Sequence, residues 1–391
     1  MNQKLSILKL NEKLYFPVVF LTIAVACRIH LFPVVFPDYT QFYEPWLTYL
    51  RVFGPESILQ EFSPYNSPYL LLMWLVSRLT PSNMLVIKGL AVIFDLLLAG
   101  GVLKTVEIFK PDGNTKYCAA TIALILPTVV VNSAAWGQND DIIGALAIWS
   151  IYFCLKDRNN LSWIIFGISF AVKMQAIFLA PFLLAVAINR RKGFIKGPLL
   201  SIVSCLVLLS PTLLIGDTPG RIIGFLVRGT GPMLGVKNMV WWMSNLWQWF
   251  PNNFDQFRLV GVGIGFAFAV SLVVYGFKAK KFSRETILML AAFCLIVLPF
   301  VLPQMHGRYY YQGEIVLLAM AFVVPGTAWF IYLMQVVTIS TFYIASAGAD
   351  TRHWSFAILS LGVVLTLIGL VLTHIQSLKQ DSSERENLFP Y

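Results

Sequence analysis

The sequence predicts an all-α fold, a polytopic bundle of about 11–13 transmembrane helices forming a single membrane domain over 1–391. Three observations carry that prediction. Hydrophobic residues make up 58% of the 391 and charged residues only 12%, where a soluble domain carries about a quarter charged. Apolar runs of bilayer-spanning length recur along the chain, and the mean hydropathy is +0.72. The basic residues behind the net charge of +10 gather in short loops, above all NRRKGFIK (189–196) and KAKKFSR (278–284), as cytoplasmic loops do.

The elements follow in order. The apolar run 14–32 reads as a retained first helix, because it runs into a polar segment without a small-residue cleavage site. Segment 33–66 reads as a first outer loop, with an interfacial helix from Tyr39 to Tyr49. The stretch SPYLLLMWLVSRL (67–79) covers only about 20 Å as a helix, too little for a core of ~30 Å. Spans are expected at 84–107, 117–135 and 141–155. The run 161–187 is too long for one straight helix and is interrupted by Lys173, Gln175 and Pro181. It reads as a re-entrant pair of half-helices with its tip at Lys173–Gln175, since irregular backbone at depth is tolerated where it lines a cavity. Further spans are expected at 198–216, 258–277, 286–303, 311–326, 327–347 and 354–375. Between them lie an outer loop at 217–257 and, at the end, a polar cytoplasmic tail at 376–391.

Placing the two basic clusters in the cytoplasm sets the sidedness, with 33–66 outside provided that 67–79 does not cross; a crossing there would move the opening stretch to the cytoplasm. Five separated polar segments (37–66, 136–141, 173–175, 230–255 and 303–314) then fall on the other face. They read as one site assembled from many loops and facing away from the cytoplasm, in a multi-pass protein of the plasma or inner membrane.

Composition also excludes. The five cysteines are scattered, with no CxxC or Cys/His cluster, so neither a zinc site nor a disulfide framework is suggested. No basic face interleaved with aromatics exists to hold nucleic acid. No cofactor is called for, and a divalent metal finds no DxD motif in its support.

Each outer segment carries candidates. In PDYTQFYEPWLTYL (37–50) an aromatic belt accounts for the rings and adequately for Glu44. A carboxylate at the exit of a span serves no anchoring purpose, so Asp38 is a catalytic candidate and Glu44 a substrate contact. Tyr65 and Asn66 precede a helix start that Ser67 and Pro68 suit as cap and first turn; they are structural or contact substrate. In WGQNDDII (136–143), two acids plus Gln138 and Asn139 exceed what a helix cap requires. Asp140 is the catalytic candidate there, with Gln138 and Asp141 as substrate contacts. Lys173 sits midway along an apolar run, where a charge costs ~3 kcal/mol or more. It is expected to face the cavity with Gln175 and either to offset the carboxylates or to bind a phosphate as a point charge. Asn245 and Trp247, in KNMVWWMSNLWQW (237–249), offer hydrogen bonds and stacking to a sugar. In MHGRYYYQ (305–312), His306 and Arg308 are phosphate-binding candidates, Arg308 through its planar fork, with Tyr309 as a substrate contact. Lys88 and Asp95, seven apart on one apolar helix, read as a buried structural pair.

Taken in order, PDYTQFYEPW, YNSPYLLLMW, the W-G-Q-N-D turn with its downstream Lys173 and Gln175, SNLWQW and HGRYYY resemble the GT-C superfamily of integral membrane glycosyltransferases. The likeness covers most of 14–326. It is nearest to the branch similar to the second mannosyltransferase of GPI-anchor synthesis and its prokaryotic relatives. The resemblance implies a GT-C-like fold and a polyprenyl- or dolichyl-phosphate sugar donor. The hexose would move with inversion to a hydroxyl of a glycan or glycolipid on the non-cytoplasmic side. It maps the general base to Asp38, the second-loop acid to Asp140 beside Gln138, and the cations to Lys173, His306 and Arg308. The chain departs from the pattern twice, with Tyr65-Asn66-Ser67-Pro68 where relatives carry Tyr-Pro-Pro, and His306-Gly307-Arg308-Tyr309 where they carry His-Glu-Arg-Tyr. Elementary chemistry points the same way, since inversion needs a carboxylate to deprotonate the acceptor and cations to stabilise the departing phosphate. A lipid or sugar transporter or flippase is the rival class. Its usual inverted repeats with paired broken helices find no match, because one broken segment is visible and it has no counterpart in the second half.

Overall fold

The computed structural model describes residues 2–60, 62–227, 237–346 and 354–388, with side chains described from 15 to 374 apart from 61, 225–236 and 345–354. All of the expected tail 376–391 and residues 225–236 of the 217–257 loop lie outside these side chains. The chain runs through α1 (Asn2–Leu31), a π-helical turn Tyr39–Tyr43, α2 (Glu44–Phe53), α3 (Ser67–Ser77), α4 (Asn83–Phe109) and α5 (Thr115–Ile125). It continues through α6 (Pro127–Val130) with a π-helical turn Val131–Trp136, α7 (Asp140–Leu155), α8 (Asn159–Val172), a 3₁₀ turn Met174–Leu179 and α9 (Ala180–Asn189). The second half holds α10 (Lys196–Leu209), α11 (Pro219–Val227), β1 (Val240–Trp241), α12 (Phe254–Lys278), α13 (Arg284–Val301), β2 (Met305–His306), α14 (Tyr311–Val323), α15 (Ala328–Ser346) and α16 (Trp354–Leu388).

Among the described residues, five helical stretches are long and apolar enough to cross a bilayer: α4, Lys196–Ile215, α12, α13 and Ser355–His374. The run expected as a straight span at 117–135 is instead bent by 49° between α5 and the Pro127–Trp136 helix, and counts as a sixth if the pair is one span. The cause is local. Leu126 precedes a proline, which disfavours helical backbone, and it adopts φ −53°, ψ 129°. The remaining apolar helices, Tyr15–Leu31, α3, α8, Met174–Asn189 and Ala328–Ile344, are shorter. The architecture is thus all-α with five or six helices of full spanning length.

α13 and α14 form the centre. Nearly every side chain of both is buried, and α7, α15 and α16 pack around them. Glycines permit two close approaches: a Cβ on Gly167 would lie 2.3 Å from the Ser201 carbonyl of α10, and one on Gly276 would lie 2.4 Å from the Ala185 carbonyl of α9. Membrane helices use small residues to bring backbones together in this way. At one end of the bundle, Asn189 donates to the carbonyls of Gly276 (3.1 Å), Ala279 (3.2 Å) and Lys280 (3.0 Å) and accepts from the Phe282 amide (2.8 Å). This side chain ties the two basic loops together.

Lys88 and Asp95 do not pair with each other. Lys88 donates to the carbonyls of Phe32 and Val34, which fixes the chain just after α1. Asp95 accepts from Arg28 Nη2 at 2.7 Å and from Ser133 Oγ at 2.5 Å, joining α1, α4 and the π-helical turn. Removing one partner of a buried ion pair costs about 3–5 kcal/mol. Asp95→Ala is therefore expected to lower the unfolding temperature in detergent sharply, with part of the loss recovered in the Arg28→Met/Asp95→Ala double variant. Unchanged unfolding in Asp95→Ala would show that the pair does not hold these elements.

Candidate active site

Four interruptions of the helical bundle meet at the end opposite the basic loops. The first is the start of α7, where Asp140 occupies the opening turn and is 1% exposed. An acid there is favoured by the free amides and dipole of the helix N-terminus. The second is the break after α8, where Lys173 adopts extended backbone (φ −154°, ψ 127°). Its Nζ donates to Asp140 Oδ1 at 2.6 Å and to Asn139 Oδ1 at 3.0 Å. The third is the 3₁₀ turn Gly307–Tyr310 before α14, from which Arg308 Nη1 lies 3.4 Å from Asp140 Oδ2. One carboxylate is thus shared by two cations, each 8% exposed. One positive charge of the pair has no carboxylate of its own in contact, which is the electrostatics an incoming phosphate requires.

The fourth interruption follows α1 and carries Asp38. Its Oδ2 accepts from Trp136 Nε1 at 3.0 Å and from Gln138 Nε2 at 2.9 Å. Both bonds fall on the same oxygen, so Oδ1 is left for a proton. A carboxylate only accepts, so the NH₂ end of the Gln138 amide faces Asp38 and Oε1 faces the tyrosines. Oε1 accepts from the Tyr43 hydroxyl at 2.6 Å and lies 3.3 Å from that of Tyr65. With the Tyr43 proton given to Gln138, the Tyr65 hydroxyl donates to that of Tyr43. The two halves of the site meet at Trp136, whose ring lies 5.1 Å from the Arg308 guanidinium, while Lys173 Nζ stands 5.9 Å from the Tyr65 ring.

No protein-family model and no curated protein matches this chain. The chemistry of the site rests on its own geometry.

Of the residues singled out from sequence, Asp38, Tyr65, Gln138, Asp140, Lys173, His306 and Arg308 come together. Tyr309 flanks them, its ring 6.0 Å from that of His306, and Gln175 lies in the 3₁₀ turn directly after Lys173. Asn66 stands behind and donates to the carbonyls of Ala171 (3.0 Å) and Val172 (3.2 Å), which the break at Lys173 leaves without helical partners. Its amide therefore stabilises the break and does not point at a substrate. Asn245 and Trp247 are likewise engaged by the protein. Asn245 Nδ2 donates to the carbonyls of Pro299 (3.3 Å) and Leu302 (3.2 Å), and Trp247 Nε1 donates to that of Val301 (2.8 Å). They cap the end of α13 and are not available to a sugar. Glu44 lines a shallow groove with Thr40, Pro45, Thr48 and Tyr49, while the opposite side of α2 turns Leu47 and Leu50 into the core. Asp141 is fully buried beside Asp140, and neither of its oxygens has a hydrogen-bond partner. Sequence reasoning missed Trp136, Tyr43 and Asn139 as site members; Trp136 read as the end of a helix, Tyr43 as part of the aromatic belt and Asn139 as a helix-cap candidate. Among the described residues, no three His, Cys, Asp or Glu side chains gather as a metal site.

Gly307 stands where the resembled pattern carries an acid, and the packing accounts for it. A Cβ here would lie 2.4 Å from Thr341 Cγ2 and 2.8 Å from the Trp242 carbonyl. That carbonyl belongs to the chain leaving β1, which pairs in parallel with β2, Val240 opposite Met305 and Trp241 opposite His306. The neighbouring His306 accepts from Arg308 Nε at Nδ1, 3.3 Å away, which requires a neutral ring. Burial first, then Arg308 and Lys173, hold its imidazole well below the ordinary 6.5. The unfolded chain therefore binds this proton more readily than the folded one, so the contribution to stability is present above 6.5 and is lost as pH falls below it. His306→Gln is expected to flatten this part of the pH–stability curve, measured by thermal unfolding between about pH 4 and 8. An unchanged slope in the variant would remove His306 as its source.

Proposed function

We propose that this chain is an inverting, GT-C-like membrane glycosyltransferase. It moves a hexose from a polyprenyl-phosphate donor to a hydroxyl of a glycan or glycolipid on the non-cytoplasmic side. The observation that carries the reading is the division of the site: a carboxylate with one oxygen tied and one free, beside two cations that share a single acid. Asp38 Oδ1 takes the proton of the attacking hydroxyl. Lys173 and Arg308 hold the phosphate and stabilise the charge it gains as the sugar leaves. Inversion follows from a single displacement, with the acceptor entering on the Asp38 side and the phosphate leaving on the cation side.

Two features support a lipid-borne donor. An apolar cavity of 540 Å³ lies between α8, α9, α10 and α12, walled by Trp163, Phe166, Phe170, Ile177 and Phe266 among others. Ile177 belongs to the 3₁₀ turn that begins immediately after Lys173, so a prenyl chain has an apolar path from the phosphate-binding end. The orientation is supported by the spacing of the two ends. The site and the basic loops are separated by the Met174–Asn189 helix, roughly 25 Å of rise, and basic loops favour the cytoplasmic face.

The test uses purified protein, a panel of polyprenyl-phosphate hexoses and a glycan acceptor. Asp38→Asn is expected to lower transfer by about 10²–10⁴-fold while donor binding is retained. Full turnover in that variant would remove Asp38 as the base. Movement of the lipid between leaflets without sugar transfer would favour a flippase.

A further inference from the structure

Trp136 contacts both halves of the site. It is 4% exposed and ends the π-helical turn Val131–Trp136. Its indole N–H donates to Asp38 Oδ2 at 3.0 Å, and its ring lies under the Arg308 guanidinium, 5.1 Å from centroid to carbon. Phe36 stacks on the ring at 5.3 Å and 18°, and Phe342 meets it edge-on at 5.1 Å and 86°, so the indole has no freedom to turn. The backbone is fixed as well. Gly137 follows in the left-handed region (φ +73°), where a Cβ would lie 2.9 Å from Ile87 Cγ2. The amides of Gly137 and Gln138 close the turn onto the carbonyls of Ser133 (3.1 Å) and Asn132 (2.9 Å).

We infer that Trp136 is a positioning residue that sets the separation of Asp38 from Arg308. Its N–H orients the carboxylate so that Oδ1 faces the acceptor, and its ring face holds the guanidinium where the phosphate must sit. The inference rests on the glycosyltransferase reading and deepens it, because it assigns the two functions of the site to two separable parts of one side chain. Gln138, the other donor to Asp38 Oδ2, does not contact Arg308 in this way.

The division predicts a split in kinetics. Trp136→Phe keeps an aromatic ring and deletes the N–H. A hydrogen bond to a charged group is lost, so kcat should fall about 10–100-fold while the donor KM stays within about twofold, the ring still supporting the arginine. Trp136→Leu deletes both parts. Here kcat should fall at least as far, and the donor KM and the Kd for polyprenyl phosphate should each rise about 3–30-fold. Thermal unfolding of each variant in detergent controls for folding. A Phe variant with wild-type kcat would overturn the anchoring of Asp38, and a Phe variant whose donor KM rises as far as that of the Leu variant would overturn the division and leave only a packing role. These failures are read against a wild type that turns over. A wild type that neither transfers sugar nor binds polyprenyl phosphate would sink the glycosyltransferase reading and this inference with it.

Discussion

A carboxylate buried between two buried cations does more than neutralise them. Asp140 is held by Lys173 and Arg308 at 2.6 and 3.4 Å, and the three residues come from the start of α7, the break after α8 and the turn before α14. Taking these charges out of water is expensive, and such clusters often add little net stability compared with an apolar replacement. Removing one member, however, strands the others in a low dielectric, so the cluster tolerates few alternative arrangements of the three chain breaks. Its contribution is to geometry. The position of each cation, and hence the place where an anion can enter, follows from where α7 begins.

Asp38 lies outside this cluster but is not independent of it. It receives its two hydrogen bonds from Trp136 and Gln138, which precede Asp140 by four residues and two. The same short turn therefore orients the Asp38 carboxylate and supplies the acid that gathers the cations. Residues 132–140 hold a π-helical turn, a left-handed glycine and a new helix start, an irregularity a membrane bundle tolerates only where side chains or a cavity satisfy the backbone. The aromatic environment adds selectivity of a general kind. Trp136, Tyr43 and Tyr65 present flat apolar faces and hydroxyls together, the combination that suits a sugar with one face of C–H bonds and an edge of hydroxyls.

Much of this was legible in the residues. Apolar runs marked most helices to within a few positions, because a membrane helix must be apolar along its length; α1 and α16 extend about a dozen residues beyond their apolar runs, from Asn2 and to Leu388. Polar residues at 38, 138, 140, 173 and 308 stood out for the same reason: in such a chain each is costly unless it has a partner. What the sequence could not separate was a polar side chain aimed at a ligand from one aimed at a carbonyl. Asn66, Asn245 and Trp247 carry groups a sugar could use, yet each faces a backbone oxygen exposed by a helix end, and only tertiary structure supplies that oxygen. Trp136 was hidden for the opposite reason. A tryptophan closing an apolar run reads as the end of a helix, and nothing in one dimension reveals an N–H aimed at a residue 98 positions away.

These misread residues expose the rule by which the site is built. Three of the four helix interruptions at this end release backbone carbonyls that a side chain from a different element meets, while the turn after Trp136 is closed by its own amides. Lys88 of α4 takes those of Phe32 and Val34, Asn66 takes those of Ala171 and Val172, and Asn245 and Trp247 take those of Pro299, Val301 and Leu302. An uncapped carbonyl at bilayer depth costs several kcal/mol, so without these caps the lower-energy course is for each helix to continue or for the ends to fray. Continuation would carry Lys173 and Arg308 past Asp140 and disperse the charges. The caps thus permit the chain to stop where the chemistry needs a side chain. This is why residues with no contact to the reacting groups stand among the chain's few polar side chains and resemble functional ones on inspection of the sequence.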